Sequence, residues 1–123
     1  MTEDAAIKLV RDFIDAWKTL DIDHILSFLA EDVHYHNIPM EPLQGIDACR
    51  TFFQSMGEMT AAHWELIHIA ANGNVVITER IDHFTISGKS VSLPLMGIFE
   101  IKNGKIKAWR DYFDLATFMA QMS

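Results

Sequence analysis

The chain of 123 residues carries 10 Lys and Arg against 17 Asp and Glu, giving a formal net charge of −7, and 50% of its residues are apolar. This length and composition fit a single domain over residues 1–123 with one hydrophobic core. The negative charge argues against nucleic acid or an anionic membrane as a partner, since both select basic surfaces.

The N-terminal segment Met1–Asp4 is acidic and precedes an amphipathic pattern, which is unlike a signal peptide. Thr2 is the expected N-cap of a first helix from about residue 3 to residue 20, because apolar residues recur there at helical spacing. Asp21 or Asp23 then caps a predicted short second helix. Its expected apolar side chains are Ile25, Leu26 and Leu29.

The next segment predicts a short strand, a loop and a third helix. Residues 33–37 alternate so that Tyr35 and Asn37 share one face of the strand. Pro39 and Pro42 predict a loop, and a helix is expected to begin near Gly45. This helix contains Cys49, the only cysteine, which excludes an intrachain disulfide and fits a cytoplasmic location. No apolar run in the chain approaches the length that spans a membrane.

From about residue 61 the apolar period changes to two, which predicts four strands. Their boundaries are three turn sequences, Asn72-Gly73-Asn74, Ser87-Gly88-Lys89 and Lys102-Asn103-Gly104-Lys105. Asp114 is the expected cap of a final short helix. The order predicts an α+β fold in which a curved antiparallel sheet wraps around the N-terminal helices and forms a conical pocket.

Three charged residues lie in segments that otherwise look like buried strands. Arg80 and Asp82 are two positions apart, so they point to the same face at about 7 Å from each other. Asp111 stands among aromatic residues, where a bare carboxylate is costly. One interpretation is a structural salt bridge, since an arginine can bridge two acids. The other is an acid/base pair in which one carboxyl keeps its proton near neutral pH.

Two histidines are candidate metal ligands. His34 and His36 have a spacing that some metal sites use, but no carboxylate or thiolate partner is evident in the sequence. Surface or interface histidines are the favoured interpretation, and no metal site is predicted. Tyr35 and Asn37, on the opposite face, could hydrogen-bond a water or a substrate oxygen.

At these residues the chain resembles the limonene-1,2-epoxide hydrolase family, within the nuclear-transport-factor-like and SnoaL-like superfamily. The similarity runs nearly from end to end. The strings that carry it are Ala30-Glu31-Asp32, Tyr35-His36-Asn37-Ile38-Pro39, Thr78-Glu79-Arg80-Ile81-Asp82, Gly104-Lys105-Ile106 and Trp109-Arg110-Asp111-Tyr112-Phe113-Asp114-Leu115. The resemblance implies an enzyme that needs no cofactor, works as a homodimer and adds water to an epoxide.

The implied catalytic residues are Arg80, Asp82 and Asp111, with Tyr35 and Asn37 holding the water. We predict a one-step reaction that converts a small apolar epoxide, terpene-like or cyclic, into a vicinal diol. The expected substrate-binding residues, from strand and helix phase and from the resemblance, are Trp17, Met56, Phe84, Leu93 and Leu95.

Two alternatives stay open at this point. One is an enzyme like ketosteroid isomerase or a polyketide cyclase, although Arg80 between two acids argues against it. The other is a non-catalytic module that binds a small ligand, in which the buried charges are structural.

Overall fold

The computed structural model describes residues 1–123, which form four α-helices and one six-stranded sheet. The helices are α1 (Glu3–Ala16), α2 (Ile22–Leu26), α3 (Ile46–Ser55) and α4 (Leu115–Met122). The strands are β1 (Leu29–Asn37), β2 (Leu43–Gln44), β3 (Met59–Asn72), β4 (Val75–Ile86), β5 (Lys89–Lys102) and β6 (Lys105–Tyr112). The predicted α+β class is confirmed. None of the helices combines the length and the apolar character that crossing a bilayer requires.

Strands β3 to β6 form the predicted antiparallel meander, and its three hairpins fall at the predicted turns. The sheet order is β2-β1-β6-β5-β4-β3, in which β1 pairs with β6 in parallel. The sheet is therefore mixed, whereas the sequence predicted antiparallel pairing. The parallel pair joins strands separated in the chain by β2, α3 and strands β3 to β5, so no turn sequence marks it.

The predicted ends of the first two helices need correction. α1 ends at Ala16, and Trp17–Thr19 tighten into a 3-10 turn. α2 ends at Leu26, so Leu29 begins β1 and does not continue the helix. The apolar spacing runs past both helix ends because Trp17 and Leu29 are buried in the same core as the helices. The predicted loop after Pro39 also contains the short strand β2.

The main core lies between α1 and the sheet, with Phe13 at its centre. The Phe13 ring meets the rings of Trp17, Trp64, Phe99 and Trp109 edge-on, at centroid distances from 5.1 to 6.2 Å. Extra residues in β3 and in β6 shift the register of these strands against β4 and β5, and such bulges bend the strand that carries them. A second apolar cluster forms where α4 meets β5, and its members are Val91, Leu93, Leu95, Phe84, Phe113, Phe118 and Met122.

Candidate active site

Three charged side chains meet in the interior. Arg80, Asp82 and Asp111 are 0%, 5% and 3% exposed. Nε and Nη2 of Arg80 donate to the two carboxylate oxygens of Asp82, each at 3.0 Å. Nη2 also donates to both carboxylate oxygens of Asp111, at 3.2 Å. One buried guanidinium thus joins two carboxylates that come from different strands.

The sheet register explains how Arg80 reaches Asp111, since β5 separates β4 from β6. Gly97 of β5 pairs with Thr78 of β4 on one side and with Asp111 of β6 on the other. A Cβ atom at position 97 would lie 2.6 Å from Asp111 Oδ1 and would collide with Arg80 Nη1. The missing side chain of Gly97 therefore gives the guanidinium a path across β5.

Thr78, Trp109 and Trp64 complete the contacts of these charged groups. Thr78 Oγ1 accepts from Arg80 Nη1 at 3.0 Å and donates to the Gly97 carbonyl at 3.2 Å. Trp109 Nε1 donates to Asp111 Oδ1 at 3.0 Å. The guanidinium carbon of Arg80 lies 4.4 Å from the centroid of the Trp64 ring, a favourable position for a cation over an aromatic face. Every nitrogen of Arg80 is therefore satisfied, which a buried cation requires.

Burial has the largest effect on the pKa values of the two acids. Burial, together with the charge of nearby Asp111, raises the pKa of Asp82 to about 6, against the lowering effect of Arg80. Burial also raises the pKa of Asp111, against Arg80 and the Trp109 hydrogen bond. Burial lowers the pKa of Arg80, but the two carboxylates outweigh it and raise the value. With both acids ionised the three groups carry a charge of −1, and one shared proton makes them neutral.

The parallel pairing of β1 brings two further polar groups to the carboxylates. Tyr35 lies beside Trp109 and Asn37 beside Asp111 in the register of β1 and β6. The Tyr35 ring stacks on the Trp109 ring at 3.9 Å, and its hydroxyl donates to Asn37 Oδ1 at 3.1 Å. Burial, followed by the charge of Asp111, raises the pKa of Tyr35, so the phenol stays neutral. The hydroxyl oxygen of Tyr35 and the amide N–H groups of Asn37 are left for other partners.

These groups lie in the wall of a cavity of about 290 Å³. Its polar lining comes from Tyr35, Asn37, Ser55, Asp82 and Asp111. The rest of the wall consists of apolar and aromatic residues, among them Trp17, whose buried indole N–H has no hydrogen-bond partner. The apolar wall consists of Trp17, Met40, Phe52, Phe53, Met56, Met59, Trp64, Phe84, Ile86, Leu93, Leu95, Phe113, Phe118 and Met122.

All five residues that the sequence predicted for substrate binding lie in this wall: Trp17, Met56, Phe84, Leu93 and Leu95. Four of the five predicted catalytic residues also line the cavity, whereas Arg80 lies behind the carboxylates and is fully buried. Strand alternation placed Thr78, Gly97 and Trp109 on this inner face, but their contacts with the acids and the arginine were not predicted. The cavity-facing residues of α4 were missed as well, although the apolar composition of that helix was a usable signal.

The histidines lie apart from this cavity. His34 Nδ1 is 3.3 Å from Gln44 Oε1, and His36 Nε2 is 2.8 Å from the Met40 carbonyl. No group of three or more His, Cys, Asp or Glu side chains is arranged to hold a metal ion.

The curved six-stranded sheet and the helices packed against it define the class of α+β fold to which this chain belongs. Several solved structures share this fold. A candidate polyketide cyclase from Xanthomonas campestris pv. campestris superposes with a TM-score of 0.86 at 26% identity, over 98% of each chain. A candidate SnoaL-like polyketide cyclase from Shewanella putrefaciens CN-32 gives a TM-score of 0.84 at 16% identity, over 95% of each chain, which is a likeness of fold alone.

Closer similarity identifies the family. Residues 4–123 match the model of the limonene-1,2-epoxide hydrolase catalytic domain, and the chain belongs to this family. It is 32% identical over 106 residues to epoxide hydrolase EphG of Mycobacterium tuberculosis, covering 86% of this chain and 71% of that protein. The structure of a limonene-1,2-epoxide hydrolase-like epoxide hydrolase from M. tuberculosis superposes with a TM-score of 0.85 at 30% identity, over 98% of this chain and 91% of that one. The chain is an epoxide hydrolase.

Proposed function

We propose that this enzyme adds water to a small apolar epoxide, terpene-like or cyclic, in one step and without a cofactor, and releases a vicinal diol. The observation that carries this proposal is the buried Arg80 joined to Asp82 and Asp111 at the polar end of an otherwise apolar cavity. An apolar wall suits a hydrocarbon ring, while the two acids can move one proton each. These are the two proton transfers that opening an epoxide with water requires.

Asp111 is the proposed general base. Its carboxylate accepts hydrogen bonds from Trp109 and Arg80, and donors of this kind favour the ionised form of a carboxyl group. The attacking water would donate one hydrogen to Asp111 and the other to the Tyr35 oxygen, and would accept from the Asn37 amide. One lone pair of that water then stays free to attack an epoxide carbon.

Asp82 is the proposed general acid. Its pKa of about 6 lets it hold the shared proton when Asp111 is ionised nearby. It would give this proton to the epoxide oxygen as the carbon–oxygen bond breaks. After the reaction Asp111 holds the proton taken from water and Asp82 has lost one, so the net charge of the three groups is unchanged. Transfer of a proton from Asp111 to Asp82, directly or by exchange with solvent, restores the starting protonation of both acids. Arg80 keeps the guanidinium charge beside both carboxylates throughout.

A direct attack by water is favoured over a covalent ester. Both oxygens of each carboxylate accept hydrogen bonds from Arg80, so neither carboxylate is free to approach carbon. A single turnover in heavy-oxygen water with enzyme in excess distinguishes the routes. We expect the label in the first diol and none in the protein. Label recovered in a peptide that contains Asp82 or Asp111 would replace the one-step route by a covalent one.

The cavity volume of about 290 Å³ lies at the small end of ligand pockets, which span about 300–1,000 Å³. Trp17, Met56, Phe84, Leu93 and Leu95 are the proposed contacts for the hydrocarbon part. Turnover should be compared on a terpene, a cyclic meso and a linear epoxide, with diol as the measured product. An enzyme like ketosteroid isomerase or a polyketide cyclase, or a non-catalytic binding module, would form no diol from any of them.

The homodimer that the family resemblance implies stays a prediction, as does the cytoplasmic location. Sedimentation equilibrium of the purified chain tests the first, and a mass near 14 kDa would contradict it.

A further inference from the structure

α4 covers one side of the cavity, and its position depends on how it is attached to the sheet. The helix has 8 residues, none of them buried, and a helix this short is marginal without tertiary contacts. Two of its side chains, Phe118 and Met122, line the cavity. The contacts that hold α4 on the sheet therefore also determine where this part of the cavity wall lies.

Gln121 makes the hydrogen bonds that connect α4 to the sheet. Its Oε1 accepts from the Ser92 backbone N–H at 2.8 Å, and its Nε2 donates to the Ser92 carbonyl at 3.0 Å. Nε2 also donates to the Thr117 carbonyl at 3.2 Å, one turn earlier in the helix. A carboxamide that both accepts from and donates to one residue reproduces the hydrogen-bonded pair of an antiparallel strand.

Ser92 can take this partner because β6 does not reach it. β5 pairs with β6 only from Met96 to Lys102, so the earlier part of β5 has β4 on one edge and no strand on the other. An unpaired strand edge needs another group to cover it. Leu93, the next residue, pairs with Asp82 and lines the cavity. Gln121 thus ties α4 to the strand segment that forms the wall beside one of the acids.

We propose that Gln121 is a positioning residue that determines specificity: it fastens α4 to the free edge of β5 and so limits the size of the ligand that the cavity accepts. Gln121 acts through Phe118 and Met122, and it does not itself line the cavity. Without the two hydrogen bonds to Ser92, α4 moves outward. The cavity then admits larger ligands and loses apolar contact with small ones. The preference among epoxides rests on the proposed function, whereas the preference among unreactive ligands does not.

The test compares Gln121→Ala with Met119→Ala on the same helix. Alanine favours a helix more than glutamine does, so Gln121→Ala removes the attachment without weakening the helix itself. Met119 is 56% exposed and does not line the cavity, which makes it a matched control. Amide hydrogen exchange at Ser92 reports the attachment. Tryptophan fluorescence reports the binding of cyclohexanol and cyclododecanol, since Trp17 and Trp64 border the cavity.

In Gln121→Ala we expect Ser92 exchange to speed up at least tenfold. The affinity ratio of cyclododecanol to cyclohexanol should rise at least fivefold. The ratio of kcat/KM for the twelve-membered ring epoxide to that for the six-membered ring epoxide should rise together with this affinity ratio, mainly through changes in KM. In Met119→Ala, the exchange rate and both ratios should stay within twofold of the parent. Gln121→Glu, which keeps the acceptor but loses the donor, should shift these ratios in the same direction.

Unchanged exchange at Ser92 would overturn the attachment. Faster exchange with an unchanged size preference would overturn the role in specificity. A shifted preference among the alcohols, in a protein that opens neither epoxide, would support the role of Gln121 and contradict the proposed function instead.

Discussion

The two faces of β4 carry similar charged side chains in opposite surroundings. On the outer face, Glu79 meets His68 and His83 meets Glu65, each at 2.9 Å, and these side chains are 37% to 82% exposed. On the inner face, Arg80 and Asp82 form an ion pair that is almost fully buried. Exposed pairs contribute about 0–1 kcal/mol because water and salt screen them. A buried pair depends on every partner being present, so removing one is expensive.

This contrast shows why the ion pairs of this chain cannot be ranked from composition. β4 contributes to both the exposed and the buried pairs, and the alternation of its side chains determines which pair faces the cavity. Only in the apolar interior does burial raise the pKa of a carboxyl group enough for it to carry a proton near neutral pH. Variants that change one matched residue in each environment test this difference.

The largest effect is expected for Asp111→Asn, compared with Asp32→Asn. Asparagine matches the shape of aspartate but cannot take a proton from water. We expect diol formation to fall by roughly a hundredfold to ten-thousandfold, which is the usual worth of a positioned base. Asp32 pairs with Lys107 at 2.8 Å on the surface, and its variant should keep activity within twofold. Steady-state rates and circular dichroism measure both. Turnover of Asp111→Asn within tenfold of the parent would exclude Asp111 as the base.

The next effect is on stability. Arg80→Ala leaves two buried acids without their shared partner and should lower the free energy of unfolding by roughly 3–5 kcal/mol. Arg50→Ala breaks an exposed pair with Asp23 and should cost about 0–1 kcal/mol. Arg80→Lys should recover little of this lost stability, because an ammonium group cannot bond both carboxylates as the planar guanidinium does. Urea unfolding measures all three variants, and equal losses for Arg80→Ala and Arg50→Ala would contradict the buried bridge.

A buried and an exposed aspartate should also change the free energy of unfolding in opposite directions as the pH rises. The pKa of Asp82 is about 6 in the folded protein, above the value of about 3.9 for an unfolded aspartate, so the native state binds more protons between these values. Its contribution to the free energy of unfolding should therefore fall by about 2 kcal/mol as the pH rises from 4 to 6. Lys107 lowers the pKa of Asp32, so the Asp32 contribution is present above the unfolded pKa and is lost as the pH falls.

Urea unfolding of the parent, Asp82→Asn and Asp32→Asn from pH 2 to pH 7 checks these signs. The difference in stability between parent and Asp82→Asn should decrease with rising pH. A difference that stays flat or increases would show that Asp82 is not protonated in the folded protein at the lower pH values.

The smallest predicted effect concerns the path of Arg80 across β5. Gly97→Ala places a methyl group against Arg80 and Asp111, and we expect a loss of roughly 1–3 kcal/mol together with lower activity. Gly73→Ala is the comparison, because the space around Gly73 is open and only its φ of 62° is unfavourable for alanine. That variant should lose some stability and no activity. Equal activity in the two variants would contradict the role of Gly97 in spacing the charged groups.

Much of the fold could be predicted because its signals are local. The hairpins at Gly73, Gly88 and Gly104 follow from turn residues that accept positive φ, and the three glycines have φ between 62° and 80°. Alternation along β4 predicted that Arg80 and Asp82 share the inner face, as they do. The exact end of α1 could not be predicted, since Trp17 is buried in the core whether or not it is helical.

Strand periodicity in the sequence shows which residues share the inner face of the sheet, because a strand points every second side chain the same way. Which of these residues touch depends on the tertiary structure. The parallel pairing of β1 with β6, the passage of Arg80 over Gly97, and the attachment of α4 through Gln121 each join residues far apart in the chain. Such contacts depend on register and on the path of whole strands, which neighbouring residues do not encode.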